Sequence, residues 1–439
     1  MNLSDHARAA VAATAELLAE PDRVAGALAD ADRPWAPAGL ADGAPGIALL
    51  FAELSRQDPA HRATAHAWLG VAARSAAGAA PGTGLYDAVP ALAFALPRAA
   101  ATPADYRTAR AHLHHQTTVL AERLARREQQ RAAAGVEHTA VERYDLVSGL
   151  AGLGAVLLDH HPRAGTADSA LHLVLRALVR LSEPIAELPG WWVAQSPDDC
   201  APTSAERGHA NLGLAHGLPG PLALLALCWR QGLRVPGQRT ALSLWADWLL
   251  GQARQDRYGP WWPQSVDLTT IDQLPDHPQP PGDCERPGRP SWCYGSPGIA
   301  RALQLAGLAL DQPDWRECAE QAAAAAVHRA LDTATGPAAL TDAGLCHGWA
   351  GLLQCTWRTG RDSEQPENEL TALLPRLTER LLDLATPAPF GFRPPLPRNG
   401  WTDDPAGFLT GAAGVALALH TVATDRVPFT TWDRALLLA

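Results

Sequence analysis

The sequence is 439 residues long, carries a formal net charge of −10 at pH 7 and is 47% hydrophobic. A chain of this length holds two or three domains or a repeat architecture, and its acidic balance argues against nucleic-acid binding, which needs a basic surface. Seven irregularly spaced cysteines do not resemble a secreted disulfide framework and favour a reducing compartment. Alanine and leucine dominate and β-branched residues are scarce, so helix is the expected secondary structure.

The first residues run into an amphipathic stretch and lack the basic and apolar regions of a signal peptide. The longest uncharged apolar run, 208–229, is interrupted by His209, Asn211, His216 and prolines, so it is too polar for a membrane span. We therefore expect a soluble, cytoplasmic protein without stable membrane insertion.

A Gly-x-x-Gly motif followed by an apolar run recurs along the chain. The first glycines of its copies are Gly43, Gly149, Gly217, Gly295, Gly348 and Gly411. A degenerate copy at 86–91 fills the gap between the first two. Seven similar units at this scale predict a solenoid or a closed ring.

Each unit has room for two helices. Stretches between the motifs, such as 104–132 and 238–255, have apolar residues at helical spacing and a charged face, which predicts outer helices. The run after each motif is almost wholly apolar, which predicts a buried inner helix. The pattern predicts an all-α, two-layer α/α toroid in one domain spanning 1–439. The inner helices are expected to begin at one mouth of the ring, with their N–H groups exposed there.

Two connections differ from the rest. Segments 188–206 and 257–290 each carry a tryptophan pair in a Gly/Pro setting, and the second continues into a long proline-rich stretch. Such segments are either functional lids or solvated connectors. Because each directly precedes a repeat with a reactive side chain, we expect them to form the rim of a cleft.

Two cysteines and a histidine lie in glycine-bounded turns of two successive repeats. They are Cys293 in SWCYGSPG, and Cys346 and His347 in LCHGWAG. Two thiolates and an imidazole suit zinc, and three protein ligands leave a fourth position open, as in catalytic zinc sites. The alternative is that all three side chains serve packing, because the chain has no CxxC pair.

Other reactive side chains precede equivalent motifs. His216 is either a catalytic acid–base or a hydrogen-bonding residue at a helix start. Asp145 is either a helix cap or a partner that orients a catalytic histidine. Arg289 is either a rim residue or a guanidinium that stabilises an oxyanion.

Three strings carry a resemblance to a known family. NLGLAHGLPG (211–220), SWCYGSPG (291–298) and LCHGWAG (345–351), in this order on seven helical repeats, resemble the lanthionine synthetase C-like family, the lanthipeptide cyclases. The resemblance covers essentially the whole chain and implies an α/α toroid. It departs from the family pattern in the second repeat, which lacks its glycines, and in the proline-rich 270–290 stretch.

The resemblance also implies a site. It implies one zinc ion per chain, held by Cys293, Cys346 and His347. In such cyclases the zinc ion binds a cysteine of a dehydrated precursor peptide, and the thiolate adds to dehydroalanine or dehydrobutyrine to form a thioether ring.

The remaining site residues follow from the same resemblance. His216 matches a position that delivers or removes protons, and Asp145 matches its acidic neighbour. Trp292, Tyr294 and Arg289 match positions lining the site, so Tyr294 and Arg289 are expected to act in catalysis and Trp292 to contact substrate.

The resemblance implies a free-standing, zinc-dependent lanthipeptide cyclase that works with a separate dehydratase on a precursor peptide. One alternative is an enzyme that adds glutathione to dehydrated residues. The other is a non-catalytic, zinc-containing scaffold that binds peptides. We expect the five other cysteines to take no part in the chemistry. They are Cys200, Cys228, Cys284, Cys318 and Cys355.

Overall fold

The computed structural model describes residues 2–29, 35–78, 82, 84–159, 169–194, 208–267, 287–336, 338–387, 390–392 and 405–439. Residue contacts divide the chain into two compact units. Unit 1 comprises Met1–Thr117, Leu340–Ala435 and Ala439, and unit 2 comprises Thr118–Ala339 and Leu436–Leu438. The single domain expected over 1–439 stays a prediction.

Unit 1 is helical. Its helices are α1 (Leu3–Leu17), α2 (Pro21–Leu28), α3 (Ala44–Leu54), α4 (His61–Ala76), α5 (Ala88–Ala99), α14 (Trp349–Arg361), α15 (Glu369–Leu382) and α16 (Ala412–Thr424), with a 3₁₀ helix at Trp432–Leu436. Helix α6 (Arg107–Ala133) begins in unit 1 and ends in unit 2.

Apolar helices form the core of unit 1, and amphipathic helices cover them. Every residue of α3 is buried, and this helix packs against α4, α5 and α16. Helices α14 and α16 also contact each other and are covered by α15 and α1, respectively. The buried helices therefore alternate with polar-faced ones, as the sequence pattern predicts.

Unit 2 is built in the same way. Its helices are α7 (Val141–Tyr144), α8 (Leu150–Leu158), α9 (Ala170–Leu181), α10 (Pro219–Arg230), α11 (Gln238–Gly251), α12 (Ser296–Leu310) and α13 (Pro313–Asp332). Its strands are β1 (Pro184–Ile185), β2 (Leu188–Pro189), β3 (His209–Asn211), β4 (Arg254–Gln255), β5 (Pro260–Trp261) and β6 (Ser265–Asp267). The strands pair antiparallel as β1–β2, β3–β6 and β4–β5.

Helix α10 lies at the centre of the unit 2 core. It contacts α8 on one side and α12 on the other, and α9, α11 and α13 cover α8, α10 and α12. Every residue of α8 is buried, because its sequence, LAGLGAVLL, offers no polar face to solvent.

The recurring glycines place the starts of the buried helices. Five of these helices have the first glycine of their motif as the N-cap residue: Gly43, Gly149, Gly295, Gly348 and Gly411. At Gly149 a Cβ would collide with the backbone of Tyr144 and Asp145, so the turn closes only without a side chain. The degenerate motif uses Asp87 instead, and the N-cap of α10 is Leu218, one residue after Gly217.

The tryptophan pairs lie in the core and not at a rim. Trp191, Trp192, Trp261 and Trp262 are all at most 6% exposed. Trp191 packs edge-on against two tryptophans of α11, and the indole N–H of Trp262 donates to the carbonyl of Leu249 at 2.7 Å. The expected cleft rim is therefore wrong for these side chains. The rest of that expectation, at 195–206 and 268–286, lies outside the described residues, together with Cys200 and Cys284.

Within the described ranges, the structure contains no helix both long and apolar enough to cross a membrane.

Candidate active site and metal centre

Asp145 and His216 form a hydrogen-bonded pair in unit 2. The Nδ1 atom of His216 lies 2.6 Å from Oδ2 of Asp145, although 71 positions separate the two residues in the chain. The Asp145 side chain is 1% exposed and its Oδ1 accepts a hydrogen bond from the Ser148 N–H at 2.7 Å, whereas His216 is 35% exposed. The carboxylate is thus held by a second hydrogen bond, and the imidazole beside it is partly exposed.

The pair holds a proton more tightly than an isolated histidine does. Burial opposes the charged form of His216, but the hydrogen bond and the charge of Asp145 outweigh it, so the pKa of His216 is raised above 6.5. Burial also raises the pKa of Asp145, against the hydrogen bonds from His216 and Ser148, which lower it. Such a pair can act as a general acid or base near neutral pH.

His216 belongs to a tightly closed turn, residues 211–217 (NLGLAHG), which we call the His216 loop. Asn211 ends strand β3, and its Oδ1 accepts a hydrogen bond from the Gly213 N–H at 2.9 Å. Its carbonyl accepts a second hydrogen bond from the Leu218 N–H at 3.0 Å. The loop therefore begins at the end of a paired strand, and hydrogen bonds to its first residue, Asn211, close it.

The turn that carries Cys293 contacts the His216 loop directly. The Ala215 N–H donates to the Cys293 carbonyl at 3.2 Å. The Tyr294 ring lies beside the imidazole of His216, with a centroid separation of 6.0 Å, and its hydroxyl accepts a hydrogen bond from Asn211 Nδ2 at 3.4 Å. Cys293 and the acid–base pair are therefore neighbours within unit 2.

Cys346 and His347 lie in a second turn, residues 342–348 (DAGLCHG), which we call the His347 loop. Asp342 Oδ1 accepts from the Gly344 N–H at 3.0 Å, and its carbonyl accepts from the Trp349 N–H at 3.1 Å. A Cβ at Gly348 would collide with Asp342, so glycine is required for this closure. The loop presents two adjacent side chains at the start of α14.

The three predicted metal ligands lie in two turns. Cys293 lies in the turn that precedes α12 in unit 2, and Cys346 and His347 are adjacent in the His347 loop of unit 1. Two thiols and an imidazole form a donor set of the kind that zinc prefers.

The two remaining predicted residues, Trp292 and Arg289, occupy different environments. Trp292 is fully buried, and its indole N–H donates to the Leu436 carbonyl at 3.0 Å, so the side chain packs in the core of unit 2. Its predicted contact with substrate stays a prediction that this burial does not favour. Arg289 has a buried Nε atom without a hydrogen-bond partner among the described residues.

Sequence reasoning missed Asp342, which is 3% exposed and lies 3.7 Å from the Nε2 of His347. A signal was present, because NLGLAHG and DAGLCHG align position by position and place Asp342 opposite Asn211. Both are turn-closing residue types, and only the comparison of the two loops separates their roles.

Known proteins resemble this chain in sequence and fold. The model of the lanthionine synthetase C-like protein family matches residues 34–437. Nisin biosynthesis protein NisC of Lactococcus lactis subsp. lactis is 25% identical over 306 residues, which are 67% of this chain and 64% of that protein. The alignment thus spans less than two thirds of the relative's length.

The structure of nisin cyclase matches with a TM-score of 0.74 and 20% sequence identity, covering 97% of this chain and 96% of that one. At this identity the match speaks for the fold, and it confirms the predicted fold class of an α/α toroid. The family match over most of the sequence settles the relationship: this chain belongs to the lanthionine synthetase C-like protein family.

Proposed function

We propose that this chain is a zinc-dependent lanthipeptide cyclase. It would add cysteine thiols of a dehydrated precursor peptide to dehydroalanine or dehydrobutyrine in the same peptide, forming lanthionine or methyllanthionine rings. The observation that carries the proposal is the contact between the turn of Cys293 and the loop of His216. It places an acid–base pair beside Cys293, one of the three predicted zinc ligands.

Cys293, Cys346 and His347 would hold one zinc ion. These are soft and borderline ligands of the kind zinc prefers, and three of them leave one position for a substrate. A bound zinc ion supplies Lewis acidity, which lowers the pKa of a peptide thiol so that it is a thiolate at neutral pH.

His216 would move the proton. The addition forms a C–S bond, converts the C=C bond to a single bond and transfers one proton from sulfur to the α carbon, so the peptide's composition is unchanged. Nδ1 of His216 is engaged by Asp145, which leaves Nε2 to exchange the proton with substrate. The raised pKa of His216 keeps a proton available near neutral pH for delivery to the enolate.

Arg289 and Tyr294 would act on the substrate as it reacts. The addition places negative charge on the substrate's carbonyl oxygen, and the Nε–H of Arg289 is a donor that could stabilise it. Tyr294 lies beside His216, where its hydroxyl could contact the reacting peptide. We propose Trp292 as a support for the Cys293 turn rather than a substrate contact, because its indole is buried.

The partners would be a dehydrated precursor peptide and a separate dehydratase that supplies it. Dehydration must precede ring formation, because the alkene is the electrophile.

A thiol assay with mass spectrometry tests the proposal. Purified protein is incubated with a chemically dehydrated cysteine-containing peptide, with and without glutathione. Cyclisation consumes free thiol without a change in peptide mass, and we expect this result. A mass increase by glutathione would instead indicate an intermolecular enzyme, and no thiol loss in zinc-loaded protein would indicate a peptide-binding scaffold.

A further inference from the structure

The Asp342 carboxylate makes two contacts: one closes its own loop, and the other, to His347, is not needed for that closure. Its Oδ1 closes the His347 loop by accepting the Gly344 N–H. Its other carboxylate oxygen, Oδ2, lies 3.7 Å from Nε2 of His347. This is an ion-pair distance and is longer than a hydrogen bond. The carboxylate is 3% exposed, so solvent screens its charge poorly.

The His216 loop shows that the turn itself needs no carboxylate. Asn211 makes the equivalent side-chain bond to Gly213 at 2.9 Å and the equivalent carbonyl bond to Leu218 at 3.0 Å. An amide oxygen thus suffices for this backbone. The loop without a cysteine has the neutral residue, and the loop with Cys346 has the charged one.

We infer that Asp342 is a positioning residue for metal binding, acting through His347. A carboxylate next to Nε2 favours the tautomer with its hydrogen on that atom, which leaves the lone pair on Nδ1 for a metal. It also makes the imidazole a stronger electron-pair donor to a metal, as carboxylates that accept the other ring N–H of metal-bound histidines do. The inference rests on the proposed metal site.

The test is the zinc affinity of the full chain, measured by competition with a chromophoric chelator. Asp342→Asn keeps a side-chain oxygen that can accept the Gly344 N–H, as the Asn211 amide oxygen accepts the Gly213 N–H, and removes the charge beside His347. We expect zinc affinity to fall about 10-fold to 100-fold, with the unfolding midpoint of the metal-free protein unchanged. Asn211→Asp is the matched control, since it adds a carboxylate to the other loop and should leave zinc affinity within about twofold of wild type.

Zinc affinity in Asp342→Asn within about twofold of wild type would overturn the inference and leave Asp342 as a turn residue only. If the metal-free Asp342→Asn protein is destabilised, Asp342→Ser is measured in its place. An uncharged serine hydroxyl can also accept a hydrogen bond from a nearby backbone N–H, as Ser291 Oγ does from the Tyr294 N–H. Failure of wild type to bind zinc would refute the metal site itself, which is a different result from equal affinity in wild type and variant.

Discussion

The His216 loop and the His347 loop have the same backbone pattern and different side-chain chemistry. Each is closed by the side chain and carbonyl of its first residue, and each presents a histidine directly before a glycine. Ala215 in one corresponds to Cys346 in the other. The two loops differ at only three positions, so one turn, repeated in a helical protein, can present different side-chain chemistry.

The two histidines also differ in the source of their carboxylate. The carboxylate beside His216 is that of Asp145 in the preceding repeat. Its Oδ2 lies at a hydrogen-bond distance of 2.6 Å from Nδ1 of His216. His347 has Asp342 within its own loop at 3.7 Å. A contacting carboxylate raises the pKa and favours the charged, proton-donating imidazole, whereas a ligand must stay neutral. The difference in carboxylate distance is consistent with the proposed roles.

The largest expected effect comes from making the His347 loop resemble the His216 loop. Cys346→Ala introduces the residue that Ala215 already provides in an intact loop, so the fold should survive. We expect zinc content to fall from one per chain to near zero, and cyclisation to fall by two orders of magnitude or more, roughly. Metal analysis and the thiol assay on the same sample check both. One full zinc per chain in this variant would contradict the ligand assignment.

The second-largest expected effect concerns His216, the histidine of the other loop. His216→Ala should keep zinc and slow cyclisation by about 10²-fold to 10⁴-fold, the usual contribution of a general acid–base. The measurement is the turnover rate with zinc content as its control. Loss of zinc would contradict the assignment of Cys293, Cys346 and His347 as the protein ligands.

Asp145→Asn should shift the pH dependence of the rate. Asp145 raises the pKa of His216, so the proton-donating form persists to higher pH in wild type. The variant keeps an acceptor for the Ser148 N–H but loses the charge, so the alkaline limb of the pH–rate profile should move to lower pH. Rate profiles of zinc-loaded wild type and variant test this. An unmoved limb would show that Asp145 does not set this titration.

The smallest expected effect is on the free energy of unfolding. It concerns His420, for which the described residues show no hydrogen-bonded carboxylate. His420 of α16 is buried, and its Nε2 lies 3.4 Å from Gln57 Nε2. Burial lowers its pKa, against the charge of Glu53, which raises it. Below pH 6.5 the unfolded chain then binds more protons than the folded one, so stability should fall as pH falls, with a slope of at most about 1.4 kcal/mol per pH unit.

The variant His420→Gln should remove this slope. Urea unfolding at about pH 5.5 and about pH 7.5 measures it against wild type. The His216 pair has the opposite sign, since a raised histidine pKa favours the folded state below pH 6.5 and this contribution is lost as pH rises through the folded value. An identical slope in His420→Gln and wild type would show that His420 does not contribute.

Residue pattern alone predicted much of the fold. The glycine motifs gave the starts of the buried helices within about two residues, because a helix that begins against another backbone leaves no room for a Cβ. The tryptophan pairs were placed wrongly, because a Gly/Pro-rich connection indicates an irregular backbone and not the direction of its side chains. Trp191 and Trp262 point at α11, which only packing determines.

The sequence by itself determined the helical repeat, the family and the candidate ligands, because these depend on residue type and spacing along the chain. Only the tertiary structure decided that His216 meets Asp145 through Nδ1, that Trp292 is buried and that Asp342 stands behind His347. These contacts join residues whose side-chain directions are set by neighbouring helices and turns. Packing fixes those directions, which residue type and spacing along the chain do not.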